Sequence, residues 1–247
     1  LYTQRRANAE TADVAYCYGN EIGIAYSEDN GKSWRYRGTL DLEFERGKNT
    51  FWAPDVVIHN GTYHMFISYI RGVSNHWSGN ASMAHYTSSN LWDWSYEGMV
   101  KLPKEDVIDA TLIQLPNGKL RMWYKWDSKS LFADSEDLFN WTGDSTPAVS
   151  DEPHEGAKAF RFKGSYWFIT DEWRGMAVYK SDDLLNWKKQ SSRILDTPSK
   201  RKDDKPSGSH GDVVVIQDKA YIFYFTHPGR ESHTKDFSDE NSNIPYT

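Results

Sequence analysis

Ala53-Pro54-Asp55-Val56-Val57-Ile58-His59-Asn60-Gly61-Thr62-Tyr63-His64-Met65-Phe66 joins a β-branched run to an aromatic one through Asn-Gly. Asn-Gly between two such runs is the strongest short-range hairpin signal, since both residues tolerate the positive φ of a tight type I′ turn. The unit recurs along the chain. Asp109-Ala110-Thr111-Leu112-Ile113 leads through Asn117-Gly118 to Leu120-Arg121-Met122-Trp123-Tyr124. Glu155-Gly156-Ala157-Lys158-Ala159-Phe160 leads through Lys163-Gly164 to Tyr166-Trp167-Phe168-Ile169. Asp212-Val213-Val214-Val215-Ile216 leads through Gln217-Asp218 to Tyr221-Ile222-Phe223-Tyr224-Phe225.

A second element follows each of the first three units and also appears before them. It runs Ser27-Glu28-Asp29-Asn30-Gly31-Lys32-Ser33-Trp34, then Thr87-Ser88-Ser89-Asn90-Leu91-Trp92-Asp93-Trp94, Ser135-Glu136-Asp137-Leu138-Phe139-Asn140-Trp141 and Ser181-Asp182-Asp183-Leu184-Leu185-Asn186-Trp187. Each copy ends in Trp, at spacings of 60, 47 and 46 residues, close to the ~40–50 residues of a four-stranded propeller blade. A polar turn closing on a buried indole would lock the outer strands of a blade. The pattern predicts an all-β fold, a five-bladed β-propeller with an incomplete first blade. A β-sandwich would also yield short strands, but not one Trp-terminated element per repeat. The expected organisation is a single domain over 1–247, with blades at 1–45 (partial, lacking inner strands), 46–100, 101–147, 148–196 and 205–247 (partial).

Composition agrees with a ring-rich β fold. The chain has 247 residues with 11 Trp, 15 Tyr and 11 Phe, so aromatic side chains dominate the area available for burial. Twenty-nine basic residues against 35 acidic ones leave a net charge of −6, which argues against nucleic acid as a partner. The one dense basic run, Lys200-Arg201-Lys202, is followed at once by Asp203-Asp204. No apolar run approaches the ~18 residues of a membrane-spanning helix, and mean hydropathy is −0.76, so no membrane insertion is expected. The single cysteine, Cys17, excludes an internal disulfide framework.

In a propeller the innermost strand of each blade lines a central funnel, so polar residues that begin those strands converge. Here those positions hold Asp55, Asp109, Glu155 and the His210-Gly211-Asp212 group. Acids gathered at an axis lose hydration unless they are paired or functional; capping of strand ends by backbone hydrogen bonds is the plainer alternative. Carboxyls facing one another in an aromatic funnel suit glycoside hydrolysis, which needs one acid to protonate the leaving oxygen and one base to activate water. Like charges separate their own proton affinities, which keeps one member protonated.

At these residues the sequence resembles glycoside hydrolase family 43, five-bladed propeller enzymes acting on arabinose-, xylose- and galactose-containing glycans. Trp52-Ala53-Pro54-Asp55 resembles the family's blade-two segment, Ile108-Asp109-Ala110-Thr111 its blade-three segment, and His154-Glu155-Gly156-Ala157 its blade-four segment. The resemblance implies Glu155 as general acid and Asp109 as the residue that orients it and adjusts its proton affinity. It implies hydrolysis with inversion, and at the funnel Asp55 is expected either to touch substrate or to stand directly behind the residues that do, with Trp52 on the substrate side. His210 matches a blade-five histidine that sits beside a bound water or a structural calcium; no cofactor is required. The family's base is an Asp on the innermost strand of blade one, ahead of Tyr2-Thr3-Gln4-Arg5-Arg6, where this chain has none, so the chain reads as a fragment or as an enzyme without its base. A secreted or periplasmic location is also implied.

Trp77, Trp126 and Trp173 follow equivalent strands and would rim the funnel, where rings stack on sugar faces; Arg174 and Arg230 occupy similar positions and could bind hydroxyls. Three rivals remain in view. Ser27-x-Asp29-x-Gly31-x-Ser33-Trp34 fits the Asp-box of sialidase-like propellers, although the later copies lack the Gly. Other five-bladed glycosidases and phosphorylases keep the funnel and change the acid. A non-catalytic glycan-binding propeller would need no base.

Overall fold

The computed structural model describes residues 1–4, 13–77 and 80–226. The chain is all-β with a propeller arrangement. Among the described residues the only helical turn is a 3-10 segment, Val14–Cys17, capped by the Asp13 carboxylate.

Four antiparallel meanders of three or four strands form the blades. The first comprises β1 (Tyr2–Gln4), β2 (Glu21–Tyr26) and β3 (Arg35–Thr39). The second contains β4 (Thr50–His59), β5 (Thr62–Ile70), β6 (Ser82–Ser88) and β7 (Ser95–Met99). The third contains β8 (Ile108–Gln114), β9 (Leu120–Trp126), β10 (Lys129–Ser135) and β11 (Trp141–Gly143). The fourth contains β12 (Glu155–Phe162), β13 (Ser165–Asp171), β14 (Met176–Ser181) and β15 (Lys188–Lys189). A two-stranded ribbon, β16 (Ser209–Ile216) with β17 (Lys219–Phe225), follows. The expected Asn60-Gly61, Asn117-Gly118, Lys163-Gly164 and Gln217-Asp218 turns each join the first two strands of their sheet. The first sheet has three strands where the next three have four, and its innermost described strand, β1, lies against β4 with Thr3 Oγ1 accepting the Ala53 amide, as Ser68 Oγ of second strand β5 accepts that of Asp109.

Apolar side chains meet between sheets, as radial packing of two-faced blades requires. Ile22 and Leu40 of the first blade pack with Met65, Ile67 and Tyr86 of the second. Phe66 and Met83 meet Leu112, Met122 and Leu131 of the third. Trp123 meets Phe168 and Tyr179 of the fourth, and Ile169 and Met176 meet Val213 of the ribbon. The ribbon in turn touches the first blade, with Phe223 edge-on to Trp34 at 5.6 Å between ring centroids.

The Trp-terminated elements are turns between a blade's third and fourth strands, or between β2 and β3 in the first blade. In the third blade, the Ser135 hydroxyl accepts the amides of Asp137 and Leu138, and Asp137 accepts those of Phe139 and Asn140. The fourth blade repeats the same bonds with Ser181, Asp183 and Leu184. Indole N–H groups of Trp34, Trp94 and Trp141 donate back to the carbonyls of Gly31, Leu91 and Leu138. None of these indoles is fully buried: Trp94, Trp141 and Trp187 are half-buried, and Trp34 is half exposed, with Phe223 as its ring partner.

One local feature positions the site. In β4, β8, β12 and β16 the ladder slips once, between Trp52 and Asp55, Ile108 and Thr111, Glu155 and Lys158, and Ser209 and Asp212. Each slip sets three residue steps against two on the neighbouring strand, which is a β-bulge. The residue after the first slipped position has positive φ in every case: Ala53 at 50°, Asp109 at 59°, Gly156 at 55° and His210 at 40°. Such angles strain residues other than glycine and gather where function demands a particular direction of a side chain.

Candidate active site

The bulges sort the expected site residues into layers. Trp52, Ile108, Glu155 and Ser209 share the first position, Ala53, Asp109, Gly156 and His210 the second, and Asp55, Thr111, Lys158 and Asp212 the fourth. Asp55, Asp109 and Glu155 therefore do not occupy one equivalent position, as the sequence pattern suggested; each comes from a different layer.

Glu155 opens β12. The preceding His154 is buried and clamped: its amide donates to the Ser128 carbonyl, and its ring lies 2.8 Å from both the Glu152 carbonyl (Nδ1) and the Ser130 hydroxyl (Nε2). Nδ1 facing a carbonyl must carry the proton, so Nε2 accepts from Ser130. With its base fixed, the Glu155 side chain keeps 28% of its surface open. Lys125 Nζ lies 3.3 Å from its Oε2, and the Trp173 indole N–H donates to its Oε1 at 3.1 Å. Burial works against the Lys125 charge, but Glu155, Asp109 and Asp106 outweigh it and raise its pKa.

Asp109 is brought directly beside Glu155. Its Oδ2 accepts the Gly156 amide at 3.0 Å, and its own amide donates to Ser68 Oγ. The His210 ring covers Gly156 so closely that a Cβ there would lie 2.6 Å from the ring, which explains glycine at this bulge. His210 thus lies over the residue that follows Glu155. Among the described residues no three His, Cys, Asp or Glu side chains gather as a metal site would require.

Asp171 was not anticipated. It ends β13 and is the ladder partner of Glu155. Its carboxyl is 1% exposed, accepting the Trp173 amide at 2.7 Å on Oδ1 and the His210 amide at 2.9 Å on Oδ2. Burial, and then the neighbouring Glu155, push its pKa up to about 7 against the pull of those amides. The ladder makes Ser68, Lys125 and Asp171 equivalent residues on the second strands of their blades, opposite Trp52, Ile108 and Glu155. The sequence marks Asp171 only as an acid closing an aromatic strand.

Of the two places expected for Asp55, the structure gives it the one behind the surface. It is buried, with Oδ2 accepting the Leu112 amide at 2.7 Å and Oδ1 2.6 Å from Lys158 Nζ, which also lies 2.8 Å from Asp212. Both carboxyl oxygens are spent on the neighbouring blades, so Asp55 ties inner strands together. Burial pushes the Asp55 carboxyl upward while Lys158 opposes it; burial likewise disfavours the Lys158 charge, but the two aspartates prevail and raise its pKa.

The aromatic residues divide. Trp173, half-buried, touches Glu155. Trp52 donates its indole N–H to the Cys17 carbonyl and packs on Tyr18, which also meets the exposed Trp77 at 6.2 Å. Trp126 packs on the third-blade core with Lys104 Nζ 4.3 Å over its ring, so one face is already covered. Arg174 is exposed and 3.9 Å from Glu172. Arg230 lies outside the described residues.

No family model and no curated protein sequence matches the chain. Solved structures do. A thermostable family-43 glycoside hydrolase superposes with a TM-score of 0.68 at 18% identity, over 84% of this chain and 77% of that one. A xylan β-1,4-xylosidase from Bacillus halodurans C-125 gives 0.64 at 18% identity, over 82% of this chain and 43% of that one, so the chain spans less than half of that enzyme. A family 117 glycoside hydrolase, Zg3597 from Zobellia galactanivorans, gives 0.62 at 17% identity over 74% and 58%. The protein carries the β-propeller fold of the family-43 glycoside hydrolases, a frame that family 117 also uses.

Proposed function

We propose that the protein is a glycosidase that hydrolyses arabinose-, xylose- or galactose-containing glycans, with Glu155 as general acid and Asp109 orienting it. The supporting observation is a single cluster. Glu155 stays partly open at the inner-strand end of a propeller while Asp109, Lys125, Trp173 and His210 converge on it from three sheets. On this reading the two-stranded ribbon is the inner part of a fifth blade. Glu155 donates its proton to the leaving oxygen, and a second carboxylate, roughly 6.5–9.5 Å away across a water, acts as base and inverts the anomeric centre. Trp173 and Trp77 offer ring faces to the sugar, and His210 and Arg174 offer hydrogen bonds. Action outside the cytoplasm fits a polymeric substrate; among the described residues no helix is long and apolar enough to cross a membrane.

Glu155→Gln tests the assignment. It is expected to lower kcat on unactivated xylo-, arabino- and galacto-oligosaccharides by roughly 10²–10⁴-fold. The loss should shrink on nitrophenyl glycosides, whose leaving group needs little protonation. Unchanged turnover of oligosaccharides by the variant would remove Glu155 from the role. A second reading, a glycan-binding propeller without turnover, draws on Lys125 and the Trp173 indole, which between them engage both carboxyl oxygens of Glu155. Saturable oligosaccharide binding with no product, in both the parent protein and the variant, would favour it.

A further inference from the structure

We propose that Asp171 is a positioning residue for Glu155, coupled to it through Trp173, whose backbone and indole N–H groups hold one carboxyl each. The proposal rests on reading Glu155 as the acid for its catalytic meaning, whereas the coupling itself is a property of the folded chain.

The geometry has three parts. Asp171 and Glu155 are directly opposed in the β12–β13 ladder, which brings side chains of an antiparallel pair out on the same face. Trp173 then bridges them: its backbone N–H donates to Asp171 and its indole N–H to Glu155. Trp173 adopts φ 58°, an angle costly for a tryptophan and one that the Asp171 hydrogen bond helps to hold. Finally, the second Asp171 oxygen fixes the His210 amide, and the His210 ring lies over Gly156, the residue after Glu155. One carboxyl thus anchors the two segments that contact the Glu155 region from opposite sides.

Charge follows the same route. Two adjacent carboxyls that are largely withdrawn from water resist double ionisation. The upward push on Asp171 from burial and from Glu155 agrees with this. The other charged or titratable groups around the pair are His210 on β16, Lys125 on β9, Asp109 on β8, and Glu172 and Arg174 in the turn after β13. Lys125 meets Glu155, and Glu172 is taken up by Lys189 and Arg193, so Asp171 keeps Glu155 as its nearest acidic competitor.

Trp173 carries its own reporters. In a ¹⁵N-labelled sample of the whole chain, its amide and indole signals, assigned by loss of the indole signal in Trp173→Phe, report Asp171 and Glu155 respectively. Across pH 4–9 the amide signal should move in a step. Glu155→Gln should lower that midpoint by about one pH unit or more, the size expected of interacting sites. Asp171→Asn should displace the indole signal itself, because the segment that carries Trp173 loses its anchor; if that variant unfolds, Glu155→Gln alone decides. An amide midpoint that Glu155→Gln leaves in place overturns the coupling. No glycan is needed, so absence of turnover with the coupling intact would refute the proposed activity alone, and turnover without coupling would refute Asp171 alone.

Discussion

His85 stacks on Phe66 at 4.5 Å with the rings 8° from parallel, meets Phe139 at 4.9 Å, and places Nε2 2.9 Å from His64 Nδ1. An imidazole held this way, between the second and third blades, has little room for a hydration shell. Burial, and next the neighbouring His64, lower its pKa to about 4. Because the folded value lies below the ordinary 6.5, this group supports the fold above about pH 6.5 and withdraws that support as pH falls through about 4. The loss should amount to roughly 3 kcal/mol, the equivalent of a fall from 6.5 to about 4. Thermal melts from pH 7 to pH 4 should therefore show a shallower acid limb for His85→Gln than for the parent protein; parallel limbs would remove His85 from the account. Single residues were also where the sequence was least complete. Glu155 and Asp109 could be read because acids at strand starts are costly without a purpose. Asp171 could not, because only the ladder register reveals that the end of an aromatic strand faces Glu155.

Among the elements, the Ser-x-Asp turns show how a short polar motif becomes rigid. Ser135 is 3% exposed and holds the amides of Asp137 and Leu138, while Leu138, at φ 67°, is buried and lends its carbonyl to the Trp141 indole. Removing the hydroxyl strands an amide beside a strained leucine. Ser135→Ala should cost about 1–2 kcal/mol, in the range of a lost helix cap or a buried unsatisfied donor. Urea denaturation at neutral pH would measure it, and a midpoint equal to that of the parent protein would count against the argument. These turns and the four hairpins were legible because Asn, Gly, Ser, Asp and Trp sit at fixed offsets that local hydrogen bonding dictates. The bulges were not, since a one-residue slip leaves no compositional mark: Ala53, Asp109, Gly156 and His210 have little in common as side chains.

Across the whole molecule, the inner strands are joined by polar ties where the outer ones are joined by packing. Lys158 bridges Asp55 and Asp212, which come from the second blade and the ribbon, and Asp55 also holds an amide of the third. Replacing Lys158 with Met leaves Asp55 charged and enclosed. The expected cost is about 3–5 kcal/mol, as for removal of one partner from a buried pair. Asp55→Asn introduced with Lys158→Met should recover part of that loss, and calorimetry of the single and double variants measures the coupling. An equal loss in both would show that the tie carries no stabilisation. The radial order of the sheets could be read from repeats alone. The depth at which Asp55 lies could not, because a strand's period of two fixes its faces only until a bulge reverses them.

The shared kink in β4, β8, β12 and β16 has a consequence for how such a protein can change. It gives each of these strands the same numbered sockets at matched height, so the groups offered to a guest depend on which letter fills each socket. A new chemistry can then arise by exchanging letters between sockets, while the backbone that presents them stays as it is.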